Sequence, residues 1–222
     1  MPVSKPNARR RKRTEQEPSQ EKSAPDAVPE TKAEAILAGA LQEFLENGYK
    51  GTSVDRLAKA AGVSKPTLYN HFKDKEDLFA AVIKQQIQFF QEDVAVLAIN
   101  LPVIDDPKAM LRNVFNAMLT RMLNNTDQHH DFIRLMIGES GRFPHLAQEM
   151  ARSVQKPVID KLTQILTLHP EIDCPDPQMT AASIMGSLIY FVMTQHILQA
   201  AEILPLERDR YINQLVEMAV GY

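Results

Sequence analysis

The sequence predicts an all-α protein with an N-terminal helix-turn-helix and a larger C-terminal helical domain. Apolar residues recur at helical spacing in most segments after residue 30, and strand-like alternation is hard to find. Glycine is scarce, with eight residues in 222, which suits long helices. We expect a disordered basic tail at 1–30, a helix-turn-helix domain at 31–75 and a larger helical domain at 76–222.

The tail is polar and contains a basic run at 5–13, with six basic residues and no acidic one. Such a segment cannot bury enough apolar surface to offset its ordering entropy, so disorder is expected. The basic run has two interpretations, an arm that follows DNA phosphates or a minor groove, and a solubilising tail. The net charge of −3 for the whole chain hides this local concentration of positive charge.

The first helix is predicted to begin after Thr31, because Thr31 and Glu34 form a capping-box pattern. Gly48 is expected to end this helix, and Tyr49 to pack the following turn. An apolar stripe marks its buried face: Ala35, Ile36, Ala40, Leu41, Phe44 and Leu45.

Two short helices around a tight turn follow. Residues 54–61 read as one helix, with Thr52 and Asp55 as a loose capping box. Gly62 occupies the position of a left-handed cap, and Ser64 caps a second helix that carries Pro66 in its first turn. This is a helix-turn-helix, whose second helix can enter the DNA major groove.

The polar residues left on the outer face suit DNA. Lys65 and Thr67 lie in the first turn of the second helix, where base edges are usually met. An ordinary helical hairpin with a solvated basic face is the alternative. The expected DNA contacts, including backbone anchors at helix N-termini, are Thr52, Ser53, Lys65, Thr67, Tyr69, His71 and Lys75.

Residues 32–83 resemble the DNA-binding domain of the TetR family of transcriptional regulators. The family usually has Gly or Ala where this chain has Pro66. The matching residues are Ala40, Phe44, Gly48, Tyr49, Gly51, Thr52, Ser53, Val54, Leu57, Ala58, Ala61, Gly62, Val63, Ser64, Leu68, Tyr69, His71, Phe72, Lys75, Leu78 and Phe79. The resemblance implies a DNA-binding head on a helical regulatory domain.

The next helix is expected to start at an Asp74 cap and to run for about six turns, connecting the head to the rest of the chain. Asp106 and Pro107 begin another helix. A further helix should run from Phe143 to about Leu168 with a kink at Pro157. The segment FIRLMIGESGRFPHLAQEM resembles the regulatory domain of the AefR-like subgroup of the family.

The family resemblance also implies that 76–222 is a helical ligand-binding and dimerisation domain, with a ligand cavity enclosed by its helices. Methionines suit an adaptable apolar pocket, although each residue taken singly is better explained as core. The candidate lining residues are Phe115, Met118, Met122, Phe132, Met136, Phe143, Tyr190, Met193 and His196. Together they indicate an apolar or aromatic effector, whose identity the sequence leaves open.

Residues 179–201 contain no charged side chain, so this stretch is long enough for a membrane span. Polar residues within it and the absence of basic or aromatic flanks favour a buried subunit-interface helix instead. The resemblance implies that 177–201 and 206–221 pair with their copies in a homodimer. Two-fold symmetry would then present two recognition helices to a palindromic double-stranded operator.

No catalytic constellation, phosphate-binding glycine loop or zinc-type spacing is found, so neither an enzyme nor a cofactor is expected. The single cysteine, Cys174, favours a reducing, cytoplasmic setting. We expect a homodimeric repressor released from its operator by a small apolar effector. An activator or dual regulator of the same fold, a membrane-attached sensor, and an enzyme or carrier that reuses the helix-turn-helix are the alternatives.

Overall fold

The computed structural model describes residues 31–99, 106–124, 127–169 and 171–221, and these ranges are helical and contain no strand. The all-α prediction is therefore confirmed. The tail at 1–30, for which disorder was expected, lies outside the described residues.

The N-terminal part contains α1 (Lys32–Gly51), α2 (Val54–Ala60), α3 (Lys65–His71) and α4 (Lys75–Ile99). The predicted capping box begins α1, because Glu34 N donates to Thr31 Oγ1 at 3.2 Å and Thr31 N donates to Glu34 Oε2 at 2.9 Å. Gly48 interrupts α1 with a φ of 66°, which favours a residue without Cβ.

The capping of α2 differs from the prediction. Ser53 is the N-cap, and its Oγ accepts from Arg56 N at 3.3 Å, whereas the predicted pair was Thr52 and Asp55. The turn after α2 follows the prediction, since Gly62 has a φ of 64° and Ser64 Oγ accepts from Thr67 N at 3.2 Å.

Six helices follow: α5 (Pro107–Asn124), α6 (Asp127–Glu139), α7 (Pro144–Met150), α8 (Lys156–Leu168), α9 (Pro177–Val192) and α10 (Arg208–Val220). A π-turn at Ala151–Gln155 joins α7 to α8 in one continuous element. It lies just before Pro157, which lacks an N–H and so cannot continue the regular hydrogen-bond ladder. The predicted irregularity thus takes the form of a π-turn.

A second π-turn, Met193–Ile197, extends α9. The predicted interface helix at 177–201 therefore ends earlier than expected, and Gln199 has a φ of 52° beyond it. The last helix likewise begins at Arg208, two residues after the predicted 206. No helix within the described ranges combines the length and apolar character needed to cross a membrane.

Two hydrophobic cores divide the molecule. One contains buried residues of α5, α8, α9 and α10. The other joins α1–α4 to α6 and α7, and includes Leu78, Phe79 and Val82 of α4. The boundary expected at residue 75 falls inside this second core. The helix-turn-helix therefore shares its apolar interior with α6 and α7 of the C-terminal, regulatory half.

Candidate functional site

Helix α3 has one buried edge and one solvent-facing edge. Leu68 is completely buried against α1 and α2, while Tyr69 is 49% exposed, and Lys65 and His71 are exposed. Asn70 is also exposed and was missed, although it lies off the apolar pair formed by Leu68 and Phe72. An amide on this edge is able to make paired hydrogen bonds to a base, so Asn70 joins the candidates.

The first turn of α3 is held by short polar contacts. Thr67 Oγ1 lies 2.8 Å from Ser64 Oγ. Lys65 Nζ lies 2.7 Å from Asp55 Oδ1, and both side chains are largely exposed. A surface ion pair of this kind contributes about 0–1 kcal/mol, so Lys65 exchanges Asp55 for a phosphate or base at little cost.

The side chain of Thr52 does not lie on the exposed surface. Its side chain is only 2% exposed, and Oγ1 donates to Glu43 O at 3.0 Å and Gly48 O at 2.8 Å. This hydroxyl therefore closes the end of α1, and the expected anchoring of DNA at Thr52 through a helix N-terminus stays a prediction. Ser53 remains exposed at the N-terminus of α2.

The ammonium group of Lys75 is already hydrogen-bonded within the protein. Its Nζ donates to Tyr49 O at 2.8 Å and to Thr52 O at 2.9 Å, and lies 4.2 Å from the centre of the Tyr49 ring. Burial, and then the nearby Arg142, lower the pKa of Lys75 below its ordinary value. The expected role in phosphate binding therefore competes with a structural one, the fastening of the α1–α2 turn.

Lys75→Met is expected to lower the thermal melting temperature of the protein, because two carbonyl groups lose their donor, at a cost of about 1–3 kcal/mol. The matched control is Lys73→Met at an exposed neighbour. It should leave melting unchanged while reducing the salt slope of DNA binding by about one. Melting curves and DNA-binding measurements at several salt concentrations distinguish the roles of the two lysines. Equal melting temperatures for the two variants would contradict the structural role assigned to Lys75.

Tyr49, near the end of α1, connects the helix-turn-helix domain to the turn between α6 and α7. Its N–H donates to Glu139 Oε1 at 3.2 Å, across 90 residues of sequence. Its ring lies edge-on to Phe143 at 4.8 Å and near Phe79 at 5.1 Å. Glu139 and Phe143 flank the turn between α6 and α7, so this turn is fastened directly to the end of α1.

A cavity of about 370 Å³ lies in the regulatory half. Most of its wall is apolar, and four residues contribute polar side chains, Arg121, His129, Ser140 and Gln155. The lining residues are Phe90, Met118, Arg121, Met122, His129, Ile133, Met136, Ile137, Ser140, Ala147, Met150, Val154, Gln155, Val158, Met185, Ile189, Val192, Met193 and Ile197. This volume is within the range of small-molecule sites.

Four of the predicted lining residues are methionines that do line this cavity, namely Met118, Met122, Met136 and Met193. The other five lie elsewhere. Phe115 and Phe132 are fully packed in the two cores, and Phe143 packs on Tyr49. Tyr190 is 48% exposed on the outside of α9, and His196 stacks on His130 at 5.6 Å.

The cavity is elongated. Lining residues recur along α6 from His129 to Ile137 and continue to Ser140 in the turn after it, eleven residues beyond His129 and about 16 Å away at helical rise. Similar stripes run along α7–α8, from Ala147 to Val158, and along α9. Both π-turns contribute to the wall, through Val154 and Gln155 and through Met193 and Ile197. Such turns are frequent at functional sites because they redirect side chains.

A second exposed surface lies on α9 and α10. Met179, Ser183, Gly186 and Tyr190 follow one another at helical spacing and face solvent. Nothing lies within 4 Å of a Cβ built on Gly186, and Met218 of α10 is 58% exposed. Apolar and small residues on adjoining helices form a face suited to another helix.

An exposed recognition-type helix on a helical domain with an apolar cavity defines a helix-turn-helix transcriptional regulator. The chain belongs to the TetR family. Residues 36–82 match the family described as "Bacterial regulatory proteins, tetR family", and residues 109–221 match "AefR-like transcriptional repressor, C-terminal domain". Both resemblances inferred from the sequence, including the AefR-like subgroup, are confirmed.

Individual regulators are also similar to this chain. The transcriptional repressor AcnR of Corynebacterium glutamicum is 34% identical over 83 residues, which are 36% of this chain and 44% of AcnR. The chain thus spans under half the length of this curated relative. The structure of the Flavonoid-responsive Regulator FrrA is 31% identical with a TM-score of 0.57, covering 85% of this chain and 92% of FrrA.

A solved structure from Mesorhizobium loti, of a protein assigned to the TetR family, has a TM-score of 0.67 and 23% identity. It covers 84% of this chain and 94% of its own. At this identity the likeness supports the fold alone, and it extends over both the head and the regulatory helices.

Proposed function

We propose that the protein is a cytoplasmic, homodimeric repressor that binds a palindromic operator and is released by a small apolar effector. AcnR is named a repressor, and the matched C-terminal domain carries the same description. FrrA is named as flavonoid-responsive, which agrees in kind with a largely apolar cavity.

The operator is contacted by α3. Lys65, Tyr69, Asn70 and His71 are exposed on this short helix and offer donors, an amide and an aromatic ring. Thr67 and Ser53 lie at helix N-termini, where backbone N–H groups favour phosphate oxygens. The contact of Lys65 with the phosphates contributes affinity, while Asn70 and Tyr69 read base edges.

The dimer forms through the outer faces of α9 and α10. Tyr211 Oη donates to Ser187 O at 2.8 Å, which holds the two helices side by side as one surface. Small residues at Ser183 and Gly186 let a second α9 approach closely, and Met179, Tyr190 and Met218 supply apolar area to be buried. A two-fold axis here spaces two copies of α3 for two half-sites.

Gly186→Arg is expected to convert the dimer into monomers and to lower operator affinity by at least about tenfold, since a long charged side chain cannot be desolvated in this face. Light scattering after size-exclusion chromatography gives the oligomeric state. Gln164→Arg on α8 is the matched control at an exposed helical position outside this face. A Gly186→Arg protein that remains dimeric would place the interface elsewhere.

Effector binding reaches the head through the turn between α6 and α7. Ile137 and Ser140 line the cavity, and Glu139 between them accepts the Tyr49 N–H. An effector that fills the cavity favours a different position of α6. Because Glu139 of α6 is hydrogen-bonded to Tyr49, the DNA-binding head moves with it. Two heads wrongly spaced for successive major-groove faces then bind the operator weakly.

The single observation that carries this proposal is the shared position of Glu139, one residue away from the cavity wall and hydrogen-bonded to the head. The test is to capture genomic fragments with the purified full-length protein and sequence them. Footprinting should then show two symmetric protected half-sites that bind one dimer. Fragments without a shared two-fold motif would contradict the palindromic operator.

A further inference from the structure

Two exposed residues of α3 lie opposite its buried side. Successive residues of an α-helix are rotated by about 100°, so residues four positions apart share one side. Leu68 is completely buried, and Phe72 packs partly buried against the same core. Pro66 and Asn70, also four positions apart, lie on the opposite side and are exposed, with Tyr69 beside them. A duplex that docks against this helix therefore meets Pro66 and Asn70 at the centre of the contact.

The other two residues of the first turn are held by the protein. Lys65 lies three positions before the buried Leu68, and its Nζ is 2.7 Å from Asp55 Oδ1 of α2. Thr67 is half-buried, and its Oγ1 lies 2.8 Å from Ser64 Oγ. In the first turn, where recognition helices meet base edges, Pro66 is therefore the residue that points toward the duplex.

Pro66 presents an apolar ring and has no N–H to donate. Its missing N–H costs nothing at this place in the helix, because the first N–H groups have no partner within the helix. In the major groove the bases display hydrogen-bond donors and acceptors, together with the 5-methyl group of thymine. A donor or acceptor covered by the ring would lose its water without gaining a bond. The thymine methyl group is therefore the favourable partner of this ring.

Asn70 offers a different kind of contact. Its side-chain amide carries an acceptor and a donor, which match the N6 donor and the N7 acceptor of adenine. Residues four positions apart on a helix have Cβ atoms about 5–6 Å apart. This distance corresponds to one or two base steps of about 3.4 Å. Pro66 and Asn70 thus suit two neighbouring base pairs.

We propose that Pro66 determines sequence specificity. Each half-site of the operator carries a thymine whose 5-methyl group packs against Pro66 and, within about two base pairs, an adenine bound by Asn70. This inference rests on the proposed contact between α3 and the operator. It adds a base preference to that contact, and the preference comes from apolar packing as well as from hydrogen bonds.

The first test changes the DNA and leaves the protein intact. Deoxyuridine pairs as thymidine does and lacks the 5-methyl group. Operator duplexes identified by the capture experiment are made with deoxyuridine at one thymine position at a time, in both half-sites together. At one position the full-length protein should lose about tenfold in affinity, since each buried methyl group contributes about three- to fivefold. A loss below about twofold at every thymine would overturn the inference.

Pro66→Gly identifies the residue that meets the methyl group. This variant lacks the ring, so its affinities for the thymine and deoxyuridine duplexes should agree within about twofold. Pro144→Gly is the matched control, because Pro144 is also an exposed proline in the first turn of a helix, α7, outside the helix-turn-helix. It should keep the tenfold ratio. Both DNAs are compared on the same protein, so reduced stability of a variant affects both affinities equally. A tenfold ratio in Pro66→Gly would overturn the inference.

Asn70 is tested with 7-deaza-2′-deoxyadenosine, which lacks the N7 acceptor. Placed within about two base pairs of the sensitive thymine, in both half-sites, it should lower the affinity of the unaltered protein about tenfold. The affinity of Asn70→Ala should change by less than about twofold. Equal losses in the two proteins would overturn the assignment of the adenine to Asn70.

These measurements separate the inference from the proposed function. Symmetric half-sites without a methyl-sensitive thymine would keep the palindromic operator and overturn the role of Pro66. A methyl effect that depends on Pro66, found in fragments without a two-fold motif, would support the contact and contradict the palindromic operator. A protein that retains no DNA fragment specifically would overturn both.

Discussion

Gly39→Ala is expected to destabilise the DNA-binding head and to weaken operator binding by at least about tenfold, which corresponds to about 1.4 kcal/mol. A Cβ at this position of α1 would lie 2.7 Å from Ala61 N, 2.8 Å from Ala60 C and 2.9 Å from Ala60 O. These are backbone atoms at the end of α2, so the clash is relieved only by moving α2 away from α1. Overpacking of this kind costs about 1–3 kcal/mol.

The direction of the stability change in Gly39→Ala distinguishes a close helix contact from an open site. Alanine is favoured over glycine by about 1 kcal/mol inside a helix, so an unconstrained site would be stabilised by the same change. Gly138→Ala on α6 is the matched control, because nothing lies within 4 Å of its Cβ position. Thermal denaturation followed by circular dichroism should show opposite shifts for the two variants. A higher melting temperature for Gly39→Ala would contradict the close helix contact.

Tyr69→Ala is expected to lower operator affinity about tenfold or more, with a change in folding stability within about 0.5 kcal/mol. The ring is 49% exposed on the outer edge of α3 while its neighbour Leu68 is completely buried, so truncation removes a surface contact and leaves the core intact. Its loss should appear in DNA binding and hardly at all in melting.

Phe89→Ala provides the control for Tyr69→Ala, since Phe89 is an aromatic residue of α4 that is 56% exposed and lies outside the helix-turn-helix. Fluorescence anisotropy with labelled operator gives both affinities. Unchanged binding by Tyr69→Ala would remove this ring from the recognition surface, and an equal loss in Phe89→Ala would show that the assay reports general damage.

The conformational preferences of single residues were sufficient to predict the helix-turn-helix. Gly62, Ser64 and Pro66 each have a conformational preference that acts within a few residues, and the structure places all three as predicted. The cap of α2 shows the limit of such signals. Thr52 and Ser53 both carry a hydroxyl able to cap, and the carbonyl groups of Glu43 and Gly48 decide which of them turns inward.

Fewer of the residues that line the cavity were predicted correctly, because their positions also depend on contacts between helices that are distant in the sequence. Apolar spacing marks the inward face of a helix, but it does not say whether a facing helix fills the space. Phe115 and Phe132 pack tightly where empty space was expected, while methionines on four helices border the cavity. The polar residues Arg121 and His129 were missed because apolar spacing gives no signal for the polar residues of a cavity wall.

The sequence by itself determined the all-α class, the position of the helix-turn-helix and the family, because helix periodicity, caps and turns are set by neighbouring residues. Only the tertiary structure decided how the halves are joined. The bond from Tyr49 to Glu139, the occupation of Lys75 by carbonyl oxygens and the shape of the cavity all depend on residues far apart in the chain. Such contacts form only after packing brings the helices together, so local preferences carry no trace of them.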